Sequence, residues 1–221
     1  MDLGIESILW LINNGNVVEI QQTIRNGEIG VEDLIQAYLG RIEQFDDRIN
    51  AVIAITPGVL DESRVKDAQI QSGEKLPFLF GLSVLVKDNI ETKDLPTTAG
   101  SLALAQNYTY RDAPIIANLR AEGAIILGKT NLSEWANFRS KRSSSGWSAV
   151  GGQTRNPYDV HRSPCGSSSG SGASVAARFA PSPSPFALST SAVYSLCPRW
   201  IIINDDHFFT DLTYQFLQTF S

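Results

Sequence analysis

The sequence predicts an α/β protein: a sheet covered by helices on both faces, entered through a helical N-terminal segment. Two observations carry this expectation. Over residues 77–180, short apolar runs that read as strands alternate with stretches of helical periodicity, and such alternation gives a sheet a helical layer on each face. Before them, residues 5–75 show apolar side chains recurring at three- and four-residue spacing, the pattern of amphipathic helices. The composition agrees. A chain of 221 residues, 43% hydrophobic and 19% charged, can bury one sizeable core.

In order along the chain, Ile5, Ile8, Leu9 and Ile12 mark one helix face, and Leu34, Ile35, Tyr38, Leu39 and Ile42 a second. Pro57 opens a further helix through Val65 and Ala68, which stops near Gly73. Residues 82–86 and 124–127 read as strands, and residues 113–122 and 133–138 as helices. A last helix, 171–178, is rich in Ala and Ser, small side chains that suit close packing on a sheet. From Pro181 the composition changes to Pro-Ser-Pro-Ser-Pro and then to an irregular aromatic tail. The expected organisation is therefore an N-terminal helical segment (1–75), an α/β core (76–180) and a divergent tail (181–221). No internal repeat is visible.

The chemistry centres on two features about eighty residues apart. The apolar run from Gly81 ends abruptly in Lys87, Asp88 and Asn89, and residues 166–173 read Gly-Ser-Ser-Ser-Gly-Ser-Gly-Ala. Singly, each has a plain reading. A Ser/Gly-rich loop serves as a flexible linker, and a lysine at a strand end snorkels to the surface. Together they suggest more. Burial lowers a lysine pKa by disfavouring the charged form, and a neutral amine beside a hydroxyl-rich loop is a serine–lysine version of an activated nucleophile.

The surrounding residues resemble the amidase signature family. Gly81 to Asn89 is similar to the family's lysine-bearing strand, and Thr97-Thr98-Ala99-Gly100-Ser101 to the turn after it. Ala113-Pro114 and the helix to Gly123, then Gly123 to Glu134, resemble the next helix, strand and helix, and Arg155 to Asp159 leads into the serine-rich signature. Tyr38 to Ile42 and Asn50-Ala51-Val52 fit as well, so the resemblance runs from about residue 30 to about residue 181. It implies the amidase signature fold, a mixed sheet between helical layers, present in part. It also implies cleavage of a small-molecule carboxylic amide through a serine acyl-enzyme, without a cofactor. Lys87 would be the neutral base. Ser168 would be the bridging serine on a cis peptide, in a register that Ser167 and Ser169 leave ambiguous by one residue. Gly166 and Gly170 would serve positive-φ backbone. Ser144 and Ser145, with Gly166, would border the substrate, although Ser143 to Ser145 also reads as a surface loop. Asp88 would orient Lys87 or cap the turn.

Beyond Pro181 the resemblance implies a strand and a Thr-Glu turn ending in Gly-Ser, which carries the nucleophile. Neither is legible. Ser191 lies near the expected place without adjacent glycines. Regrouping codons around Ala187-Leu188 and Ala192-Val193 can restore Thr-Glu and a serine, so a shifted reading frame is one reading of the tail. The competing reading is a truncated, catalytically inactive amidase-like fragment.

Other classes fare worse. Residues 123–130 satisfy GxxxxGK[ST], the phosphate-binding loop, but the intervening residues are apolar and β-branched and read as buried strand. A net charge of −5 argues against nucleic acid, and the basic residues 139–142 read as a solvated loop. Cys165 and Cys197 are too few for a disulfide framework, so a reducing, cytoplasmic setting is expected. No basic region precedes the first apolar stretch, no run spans a bilayer, and no His/Cys/Asp cluster has metal-ligand spacing. His161 reads as a loop residue. The sequence carries no sign of oligomeric state.

Overall fold

The computed structural model describes residues 4–181 other than 74, 139 and 141. Expectations for the tail, including Ser191, Cys197 and His207, lie outside the described residues.

Four helices build the first part: α1 (Ile5–Asn14), α2 (Val17–Arg25), α3 (Val31–Ile49) and α4 (Val59–Ser72). Each boundary has a local cause. Asn16 accepts hydrogen bonds from the backbone of Val18 and Glu19, while the Glu19 carboxylate returns to the Asn16 amide. This reciprocal cap satisfies donors that a helix start leaves open. Asn50 ends α3 in the left-handed conformation, and the Asp46 carboxylate receives the amides of Ala51 and Val52. On α3, the periodic residues Leu34, Ile35, Tyr38 and Ile42 are all buried. On α1, Ile8 and Ile12 are buried with Leu11, but Ile5 and Leu9 are exposed. The buried stripe of α1 is thus one residue pair narrower than its periodicity suggested.

One expectation for this part fails. The chain is not helical throughout, because Val52–Ile55 is a strand, β1. Four residues are too few to show a period, and the partner that makes them a strand is distant in sequence.

That partner is β3 (Ile125–Thr130), the centre of a three-stranded sheet of order β1-β3-β2, with β2 at Ser83–Lys87. β1 runs antiparallel to β3 and β2 parallel to it, so the sheet is mixed, as the resemblance implied. Helix α5 (Pro114–Ala121) makes the crossover between β2 and β3 and, through Ile116, packs with Val86 and Ile126. Helix α6 (Ser169–Ala176) lies on the other face, where Ala173 and Ala177 join the large core of α1 to α4. The sheet is therefore covered on both faces.

β3 extends past its apolar run to take in Gly128, Lys129 and Thr130. Residues 133–138 do not form the expected helix. Glu134–Asn137 is a single 3-10 turn with Trp135 and Ala136 in left-handed conformation. It is pinned where the Trp135 amide donates to the Ala99 carbonyl and Glu134 accepts from the Ala149 amide. A small hairpin of β4 (Trp147–Ser148) and β5 (Gly152–Gln153) follows.

The core is densest around α3. Ile35→Ala is expected to cost about 3 kcal/mol, since its side chain is fully buried and a large-to-small change there leaves a cavity. Urea unfolding measures this, and a loss below about 1 kcal/mol would contradict it.

Candidate active site

Lys87 is the last residue of β2 and is 1% exposed. In the parallel ladder it lies opposite Thr130, while Val86 lies opposite Lys129. Paired residues share a face and successive residues alternate. Lys87 and Thr130 thus face α6, and Thr130 Oγ1 meets Ser171 Oγ at 2.8 Å. Lys87 Nζ donates to Ser167 Oγ at 2.9 Å. Burial pulls the Lys87 pKa down from 10.5 to about 8, which makes a neutral amine accessible near neutral pH.

The serine-rich segment is not a flexible linker. The Gly166–Ser167 peptide is cis, and Cys165 is left-handed. Ser169 Oγ donates to the Cys165 carbonyl at 2.6 Å, and the Ser133 amide to the Ser167 carbonyl at 3.0 Å. The Gly170 amide donates to the Asn131 carbonyl at 3.0 Å. These bonds fix the loop against the end of β3.

Comparison with known proteins falls on these same residues. The family profile described as Amidase matches residues 33–187. The chain belongs to the amidase family. It is 42% identical over 176 residues to a probable amidase of Arabidopsis thaliana, covering 78% of this chain and 34% of that protein. It is also 42% identical, over 167 residues, to a glutamyl-tRNA(Gln) amidotransferase subunit of Salinispora arenicola, covering 75% of this chain and 33% of that one. The solved peptide amidase of Stenotrophomonas maltophilia superposes with a TM-score of 0.73 at 48% identity, covering 76% of this chain and 35% of that chain. The chain thus spans about a third of the length of the curated relatives it matches. The family match runs to residue 187, past the end of the legible resemblance at about residue 181.

Within this amidase fold, the serine at the expected register and the one before it take different local positions. Lys87 bonds the Ser167 hydroxyl. Ser168 is buried as the N-cap of α6. Residue spacing within three consecutive serines cannot choose among them.

The two glycines act differently from expectation as well. Neither Gly166 nor Gly170 has a positive φ. They are needed for space. A Cβ on Gly166 would lie 2.5 Å from Ser133 Oγ, and one on Gly170 would lie 2.4 Å from the Asn131 carbonyl and 2.5 Å from that of Ala51. Ser145 is half-buried, its Cβ 3.5 Å from where a Gly166 Cβ would stand, whereas Ser144 is exposed.

The apparent phosphate loop is no loop. Residues Ile125 to Thr130 are buried strand throughout, and Lys129 Nζ is committed to the Asp88 carboxylate at 3.1 Å, the Ile90 carbonyl at 2.7 Å and Thr97 Oγ1 at 3.1 Å. Asp88 also accepts from the amide and hydroxyl of Thr98. It caps the turn after β2, the second of the two roles expected of it.

Asn131, within the stretch that carries the resemblance, has a structural part that the sequence does not assign. Its Nδ2 donates to the Gly152 carbonyl at 3.1 Å and to Thr154 Oγ1 at 3.0 Å. Its Oδ1 accepts from the Leu132 amide at 2.9 Å and from the Ser148 hydroxyl at 2.7 Å. It ties the hairpin to the strand that supports the serine loop. His161 is exposed on a loop, its amide bonded to Asp159. No helix among the described residues is long and apolar enough to cross a membrane.

Proposed function

We propose that this chain hydrolyses a small carboxylic amide through a serine acyl-enzyme, with Lys87 as base and Ser167 as the hydroxyl that relays the proton to it. The observation that carries this reading is the 2.9 Å bond between a buried, readily neutral lysine and Ser167. In the first step a nucleophilic serine adds to the amide carbon. Its proton passes to Ser167 as the Ser167 proton passes to Nζ. The ammonium then protonates the departing amine as the C–N bond breaks, and water, deprotonated along the same route, hydrolyses the ester. The nucleophile is not assigned among the described residues, and Ser191 is its positional candidate. Ser145 and Gly166 border the site. The similarity to a peptide amidase makes a peptide amide the first substrate to try.

The test is ammonia release from a peptide amide by the purified chain. Only neutral Lys87 accepts a proton, so kcat/KM rises about tenfold per pH unit below pH 8 and levels off above it. Ser167→Ala is expected to lose about a hundredfold or more, and at least about tenfold more than Ser168→Ala. The reverse order would return the relay to Ser168.

A second reading, an amidase relative without turnover, has one observation in its favour. No glycine follows Gly172 in the sequence, so Ser191 lacks the flanking glycines that the resemblance implies for the nucleophile. Absence of ammonia release by the wild-type chain would decide for it.

A further inference from the structure

Ser133 stands where β3 hands over to the loops around Lys87, and each of its polar groups is committed. Its amide donates to the Ser167 carbonyl at 3.0 Å, and its carbonyl accepts from the Ala136 amide at 2.8 Å. Its hydroxyl accepts from the Gly146 amide at 2.8 Å. The same oxygen closes the space beside Gly166, where a Cβ would come within 2.5 Å of it. Ser133 is 0% exposed, and Gly146 is buried. One residue thus joins the serine loop, the left-handed turn at Trp135 and the segment that leads from Ser145 into the hairpin. Two residues earlier, the Asn131 carbonyl holds the Gly170 amide at 3.0 Å. The stretch 167–170 is therefore fastened at both ends, and Lys87 meets it at Ser167 Oγ.

We infer that Ser133 is a positioning residue for Ser167: its hydroxyl, seated between Gly146 and Gly166, keeps the Ser133 amide on the Ser167 carbonyl and so keeps the Ser167 hydroxyl within reach of Lys87. The proposal rests on the reading of Ser167 as the proton relay. Removing the hydroxyl leaves the Gly146 amide without its acceptor, and a buried N–H without a partner is unfavourable. The Ser145–Gly146 peptide then turns towards another acceptor. Gln153, whose Nε2 holds the Ser145 carbonyl at 2.9 Å, restrains that peptide from its other side alone. The same change opens a gap beside Gly166, the residue directly before Ser167. A proton relay tolerates little drift, because its heavy atoms must stay within about 2.6–3.2 Å of each other. The bond from Lys87 to Ser167, at 2.9 Å, lies inside that range. Ser133 acts by keeping it there.

The experiment is a double-mutant cycle on ammonia release from a peptide amide by the full 221-residue chain. Ser133→Ala is expected to lower kcat about tenfold while KM changes less than about threefold. In the Ser167→Ala background the same substitution should change kcat less than about twofold, because residues that act through one another are not additive. An equal loss of kcat in both backgrounds overturns the inference. So does a raised KM with kcat intact, which would place Ser133 with the substrate border at Ser145. Amide hydrogen exchange, followed by NMR, reads the same contact without turnover. In Ser133→Ala the amides of residues 166–170 should exchange about tenfold faster, with those of α3 unchanged. Unchanged exchange at 166–170, or equal acceleration in α3, also overturns the inference. If Ser133→Ala does not fold, Ser133→Cys, close in volume and a weaker acceptor, should give the same pattern at smaller amplitude. A wild-type chain that releases no ammonia, or that loses nothing in Ser167→Ala, refutes the proposed function instead, and hydrogen exchange then decides the hold of Ser133 on Ser167.

Discussion

Lys87→Met is expected to lower kcat/KM for a peptide amide by about a thousandfold or more, with no loss of thermal stability at pH 7. The first part follows from the proposed role of Lys87 as the base bonded to Ser167. Removing one member of such a constellation costs orders of magnitude. The second part follows from linkage. Folding lowers the Lys87 pKa from 10.5 to about 8. Between these values the unfolded chain holds a proton that the folded chain has lost, so stability rises with pH across that window. Below about pH 8 the folded protein carries a buried ammonium, an unfavourable state that methionine, similar in length and apolar, does not impose. Activity lost together with stability would mark Lys87 as structural. More than about a tenth of wild-type kcat/KM remaining would remove it as the base.

Gly170→Ala is expected to destabilise the fold by about 3 kcal/mol, the upper end of the range for overpacking. The added methyl has nowhere to go. Its nearest neighbours are the backbone carbonyls of Asn131 and Ala51 and the Asn131 amide, all at 2.4–2.5 Å, and backbone cannot rotate aside as a side chain can. To relieve the contact, α6 must lift from the sheet, lengthening the Gly170 to Asn131 hydrogen bond and drawing Ser167 away from Lys87. Urea unfolding should show the lost stability, and kcat/KM should fall in parallel. A midpoint shift worth less than about 1 kcal/mol would mean that α6 is held less tightly than these distances imply.

Part of the candidate site is legible in the residues. Lys87 was visible because an apolar run ended in a charge, and the loop from Gly166 because serine and glycine crowd together there. Both signals are local. The bond between Lys87 and Ser167 is not visible in the sequence, since three consecutive hydroxyls present the same local pattern. Asn131 gave no signal, because its polar contacts come from the ends of β1 and β3 and from the β4–β5 hairpin. Lys129 misled: read along the chain it completes a phosphate-loop pattern, and only the ladder with β2 shows it facing Asp88.

The same division holds for the fold. Helix α3, the crossover helix α5 and strand β2 follow from periodicity and apolar runs, patterns of neighbouring residues that one-sided burial imposes. Strand β1, the extension of β3 and the left-handed turn at Trp135 do not. Each exists because of a partner distant in sequence: β3 for β1, Asp88 for Lys129, Ala99 for Trp135. The chain alone determined its family, its layered α/β class and the lysine at its centre. Tertiary structure decided the bond between Lys87 and Ser167, the need for space at Gly166 and Gly170, and the pairing that holds Asp88 to Lys129, because hydrogen bonds and close contacts between distant segments leave no periodic trace in the sequence.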